Sequence, residues 1–153
     1  MTERTVTHSI FSLERVYPAA PIRVFAAFAD EKLKEKWFGA PSDGWTQTEK
    51  SMDFRIGGVE VNNGKVTNGP AIEFRATYWD IVPSERIVYS YYMTMDGKRI
   101  SVSLATIELK AEGKGTRLKL TEQGAFLDGF DDPNLREKGT NDLLDALGRS
   151  LAN

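Results

Sequence analysis

Between Trp45 and Gln123 the sequence runs as one strand after another, and no segment in that stretch has the period of a helix. Turn residues punctuate it: GG at 57–58, NNG at 62–64, NGP at 68–70, MDGK at 95–98 and EGKG at 112–115. Asp96-Gly97 is the clearest hairpin signal, because a two-residue turn of that kind needs both central residues at positive φ. GG predicts a bulge or a sharp bend. Between the turns lie AIEFRATYWDIV, RIVYSYYMTM, ISVSLATIELK and TRLKLTEQG. In the last of these, Leu118 and Leu120 face one way and Arg117, Lys119 and Thr121 the other, so the sheet has one wet face. Residues 71–82 obey no single parity, since Phe74 and Tyr78 alternate with Trp79 and Ile81. A bulge, or a strand covered on both sides, accounts for that. The middle of the chain is therefore a meander of antiparallel strands whose apolar face needs a cover.

The two ends supply it. SIFSLERVY, at 9–17, alternates Phe11, Leu13, Arg15 and Tyr17 against Ser12 and Glu14 and reads as a first strand. Pro21 then opens a helix through Ala29, proline being suited to a first helical turn. Asp30 caps a second short helix, EKLKEKWF. Leu33 and Trp37 are four apart and share a face, whereas Phe38 is rotated from Trp37 by about 100°. Trp37 thus reads as the core anchor, and Phe38 points toward whatever borders the helix. After the loop GAFLDGFDD, Asp132-Pro133 is a cap followed by a first-turn proline. Leu135, Leu143, Leu147 and Leu151 recur at four-residue spacing or its multiples, with Leu144 widening the stripe. The expected fold is α+β: a strongly curved antiparallel sheet, two short helices after strand 1, and a long C-terminal helix packed on the concave face.

Length and charge close off several function classes. A chain of 153 residues fits one domain, 1–153, with a core large enough to stand alone. A net charge of −2 gives no electrostatic footprint for nucleic acid, and no Lys/Arg cluster stands against anionic lipid. The longest apolar run, VFAAFA at 24–29, is too short to span a bilayer, and the N-terminus lacks the apolar core of a secretory signal. With no Cys there is no disulfide frame, thiolate nucleophile or cysteine metal site, which fits a cytoplasmic protein. No cofactor is called for, and monomer and homodimer both stay open.

Little in the chain points to catalysis. The single histidine, His8, reads as a surface residue, and no G-x-S-x-G motif occurs. Asp128, Asp131 and Asp132 lack the spacing of a calcium loop, and one His without Cys makes a zinc site implausible. GKG at 113–115 is a hairpin turn rather than a phosphate cradle. The aromatic set is more informative. Tyr89, Tyr91 and Met93 share one parity on a strand, Tyr92 has the other, and Trp79, Phe126 and Phe130 lie nearby in the order of elements. Rings with a few polar tips are the usual lining of a small-molecule pocket, and equally the usual filling of a core. Arg15 and Glu122 continue the core-facing parity of their strands. Each either projects its charge into a cavity or snorkels to solvent from a strand end. If Glu122 were desolvated its pKa would rise, making it a candidate acid or base, with Arg15 the other weak catalytic candidate.

Taken in order, ERVYPAAPIRVFAAFADEKLKEKWFGAP, MDFRIGG, VPSERIVYS, GKGTRLKLTEQG and KGTNDLLDALGRSL resemble the activator of heat-shock protein 90 ATPase homologue family of the START-like, or SRPBCC, superfamily. The resemblance covers residues 9–151 and implies the helix-grip fold. Where that family often has an aromatic after the glycine of its last helix, Gly139 is here followed by Thr140, and Arg136 stands where a histidine is often found. The first change enlarges any space between helix and sheet. The additional N-terminal domain of the eukaryotic co-chaperone members has no counterpart in the sequence. Resemblance and residues together imply a cavity for a small apolar or aromatic molecule. Its lining would be Phe38, Trp79, Tyr89, Tyr91, Met93, Phe126, Gly139 and Thr140, gated by 124–131 with Gly124 and Gly129 as hinges. Two rivals accompany this reading. One is a cyclase, dehydratase or hydrolase using pocket Glu, Tyr or Arg. The other is a co-chaperone-like partner of a heat-shock ATPase.

Overall fold

A computed structural model describes residues 3–39 and 43–152. The chain runs β1 (Val6–Tyr17), α1 (Pro21–Ala29), α2 (Glu31–Lys34), β2 (Trp45–Met52), β3 (Val59–Val66), β4 (Ala71–Val82), β5 (Arg86–Met95), β6 (Lys98–Glu112), β7 (Gly115–Leu127) and α3 (Pro133–Leu151). The seven strands form one antiparallel sheet in the order β1-β7-β6-β5-β4-β3-β2, so the first strand closes onto the last and the rest is a simple meander. This is the expected α+β helix-grip architecture, with α3 on the concave side. Leu144, Leu147 and Leu151 pack there with Ile107, Leu118 and Tyr78.

Local chemistry explains most element ends. Pro21 occupies the first turn of α1, and the Asp30 carboxylate accepts from the Lys32 and Leu33 amides at the start of α2. Asp132 does the same for Asn134 at α3. Asp96 and Gly97 sit at φ 50° and 80°, as the tight hairpin between β5 and β6 requires. The parity break in β4 is a bulge between Tyr78 and Asp80.

Three expected boundaries differ. NNG at 62–64 lies inside β3, because Gly64 is not turning the chain. It lets the Trp45 ring lie on the backbone, where a Cβ would fall 2.3 Å from the indole. The second helix is a single turn rather than EKLKEKWF, with Trp37 and Phe38 held by turn bonds back to Lys34 O. Gly124 is within β7, its missing Cβ filled by Phe126 and Ser103, so it is no hinge.

Candidate functional site

Trp37 and Phe38 part company as their spacing requires. The Trp37 indole is buried edge-on against Phe28 at 4.9 Å, and its Nε1 donates to Ala27 O at 3.0 Å. Phe38 turns toward the sheet and meets Phe74 edge-on at 5.1 Å. That contact is one wall of a cavity of about 320 Å³ between the sheet and the N-terminal half of α3. Phe74, Tyr89, Tyr91 and Met93 rise from β4 and β5 as its floor. Trp45, Leu135 and Leu143 complete its apolar lining, and Gly139 and Thr140 form its roof. A Cβ placed on Gly139 would meet no atom within 4 Å, and the Thr140 hydroxyl is turned back onto Arg136 O.

Polar groups reach the wall at two places. Near α2, the Lys34 ammonium donates to Glu60 Oε1 at 2.6 Å, and the Tyr78 hydroxyl donates to the same oxygen. Both charges are buried, and removing one partner of such a pair costs about 3–5 kcal/mol. Near α3, Arg136 donates to Asp131 at 2.6 Å, to Ser101 Oγ at 2.9 Å and to the Tyr91 hydroxyl at 3.0 Å. Tyr91 in turn donates to Glu122 Oε2 at 2.9 Å. Glu122 is 4% exposed and makes no ion pair with any described residue. Burial pushes its carboxyl above the ordinary carboxylate value, against the opposing pull of the Tyr91 hydrogen bond and the Arg136 charge. Burial also raises the Tyr89 and Tyr91 hydroxyls, with the Glu122 carboxylate reinforcing the effect.

Of the residues singled out in the sequence, Phe38, Tyr89, Tyr91, Met93, Gly139, Thr140 and Glu122 come together on this cavity. The others do not. Trp79 follows inward Tyr78 in the ordinary alternation of β4, beside the bulge, and its ring lies on the outer face. There it is 57% exposed, with Nε1 donating to Ser90 Oγ. Phe126 points inward but lies under the Arg136 guanidinium at 5.1 Å, shut off from the hollow. Phe130 is half exposed beneath the Lys98 ammonium. Arg15 belongs to the edge strand β1 and reaches Asp145 and Asn141 on the flank of α3.

Lys34, Asn62, Asp131 and Arg136 line the cavity without having been picked out for it. For Lys34 a signal existed: it stands four residues before Phe38, on the same helical face. A lysine on that face simply reads as solvated until its buried carboxylate partner is known.

Among curated proteins none matches the chain. Solved structures do. A crystal structure from Rhizobium loti is 48% identical over 96% of this chain and 99% of its own, with a TM-score of 0.89. One from Rhizobium leguminosarum is 39% identical over 99% of both, with a TM-score of 0.93. The solution structure of an AHSA1-like protein from Aeromonas hydrophila, 20% identical over 94% of this chain and 92% of its own, shares the fold at a TM-score of 0.69. Residues 18–152 match the family described as Activator of Hsp90 ATPase homolog 1-like protein, and the chain belongs to that family, within the START-like helix-grip fold.

Proposed function

We propose that the protein binds a small apolar or aromatic molecule in the cavity between the curved sheet and α3. The observation that carries this reading is the unfilled space beside Gly139 and Thr140, faced by Phe38, Tyr89, Tyr91 and Met93. Its volume of about 320 Å³ falls at the small end of the range for ligand sites, and its lining is mainly apolar with a few placed polar groups. The fold supports the same reading, since helix-grip proteins commonly take hydrophobic ligands between sheet and helix.

Native mass spectrometry of freshly purified protein is expected to show a non-covalent small molecule that leaves under mild activation. Thr140→Trp is expected to abolish its uptake. By filling the hollow, the same substitution should raise Tm by roughly 2–4 °C for about 1 kcal/mol gained. Uptake that survives Thr140→Trp places the ligand elsewhere.

One observation favours an enzymatic reading: a buried Glu122, its pKa raised by desolvation and its carboxyl held by Tyr91, is built like a general acid–base. Glu122→Gln that keeps binding but ends turnover of the co-purifying molecule would distinguish that reading from simple binding.

A further inference from the structure

The polar atoms that border the cavity are nearly all spoken for. Lys34 is matched by Glu60, Arg136 by Asp131, Ser101 and Tyr91, and Thr140 by a helix carbonyl. Others are not. Asn62 Nδ2 donates no hydrogen bond among the described residues, and the Tyr89 hydroxyl and Glu122 Oε1 make none there either.

The sheet register explains why the last two belong together. Tyr89 pairs with Ala105, and Ala105 pairs with Glu122, so all three lie in one cross-strand row. Ala105 is buried and contributes only a methyl group, which leaves the flanking side chains free to approach each other above it. The Glu122 carboxylate is also the strongest charged influence on Tyr89. Tyr91 fixes which oxygen faces the hollow. Its proton goes to Glu122 Oε2 and its lone pair to Arg136, so Oε1 is the atom left over. A guest that fills the cavity takes these atoms out of water, which costs free energy unless the guest bonds to them.

Resting on the binding role proposed above, we infer that the ligand is neutral and carries a hydroxyl group, held between Glu122 and Tyr89 with its apolar body against Phe38, Phe74 and Met93. A hydroxyl both donates and accepts, so one group satisfies both atoms. An ammonium group would share the hollow with the Arg136 and Lys34 cations, and a carboxylate would face Glu122 and Asp131. Burial keeps the Tyr89 proton in place and favours the neutral carboxyl at Glu122, consistent with an uncharged guest.

The test uses four probes of one shape: 2-naphthol, naphthalene, 2-naphthylmethylamine and 2-naphthoate. Each is titrated into isotope-labelled protein at neutral pH and followed by amide chemical shifts. The unaltered protein is expected to prefer 2-naphthol over naphthalene at least tenfold. Glu122→Leu and Tyr89→Phe should each cut that preference to threefold or less, while Glu122→Gln, which keeps an uncharged amide able to bond the guest's hydroxyl, should retain most of it. Tyr89→Phe deletes one oxygen and breaks no internal hydrogen bond, so it decides the matter if Glu122→Leu fails to fold. Equal binding of 2-naphthol and naphthalene overturns the inference and leaves the cavity's role standing. Tighter binding of the amine or the naphthoate overturns it as well, as does a preference that survives both substitutions. If none of the four binds, the cavity's role falls and the hydroxyl anchor falls with it.

Discussion

Glu122 ties its protonation to the stability of the domain. Burial lifts its carboxyl above the ordinary 4.5, so the folded chain holds this proton more tightly than the unfolded chain does. The resulting contribution is fully present below pH 4.5 and is lost as pH rises through the raised value. Glu122→Gln cannot ionise but can still accept the Tyr91 proton. Its Tm relative to the unaltered protein should therefore climb as pH rises past the ordinary 4.5 in scanning fluorimetry; a flat difference means an ordinary carboxylate. A second contrast concerns two tryptophans. Trp37→Ala removes a buried ring and its bond to Ala27 O and should cost about 3–5 kcal/mol in urea unfolding. Trp79→Ala, on the outer face, should cost less than about 1 kcal/mol and leave probe binding unchanged. The first of these roles was readable from helical spacing. The second was not, because Trp79 has the same parity as Ile81, which packs on the core, and the one-residue bulge that separates their faces leaves no mark in composition.

At the scale of elements, α3 carries two glycines with opposite surroundings. A Cβ at Gly139 meets nothing within 4 Å, whereas one at Gly148 would press on the Tyr17 ring at 3.1 Å. Gly139→Ala should therefore gain helix propensity freely, by about 0.5–1 kcal/mol. Gly148→Ala should gain less or lose; thermal melts of the two side by side check the order. Helix starts were the most legible part of the chain, because a cap and a first-turn proline act within four residues of each other. The strand boundary at NNG was less so. Asn and Gly there serve the packing of Trp45 and the lining by Asn62, which are contacts between β2, β3 and the cavity rather than turn chemistry. Likewise the Tyr89–Ala105–Glu122 row depends on the register of three strands, which hairpin signals bound but do not fix.

Across the whole molecule, the sheet, α1 and α3 share one main core, and Phe38 and Tyr89 join the smaller Phe74–Tyr91 cluster to it, so unfolding should be a single cooperative step. Near- and far-ultraviolet circular dichroism are expected to give coincident urea transitions. A guest at a hundred times its Kd would add about 2.7 kcal/mol, on the order of 5–10 °C in Tm. The outer face exposes Ile10, Trp79, Val102 and Leu104; they come from three strands and only register gathers them. Finally, α3 is fastened and roofed by different parts of itself. Leu144, Leu147 and Leu151 are sunk in the core, and the Tyr17 hydroxyl is bonded to Leu144 O at 2.7 Å. Arg136, Gly139 and Thr140, one to two turns earlier, overhang the hollow. Selectivity and solidity are thus inscribed on separate turns of the same rod, and a lineage can rewrite what it accommodates without renegotiating whether it folds.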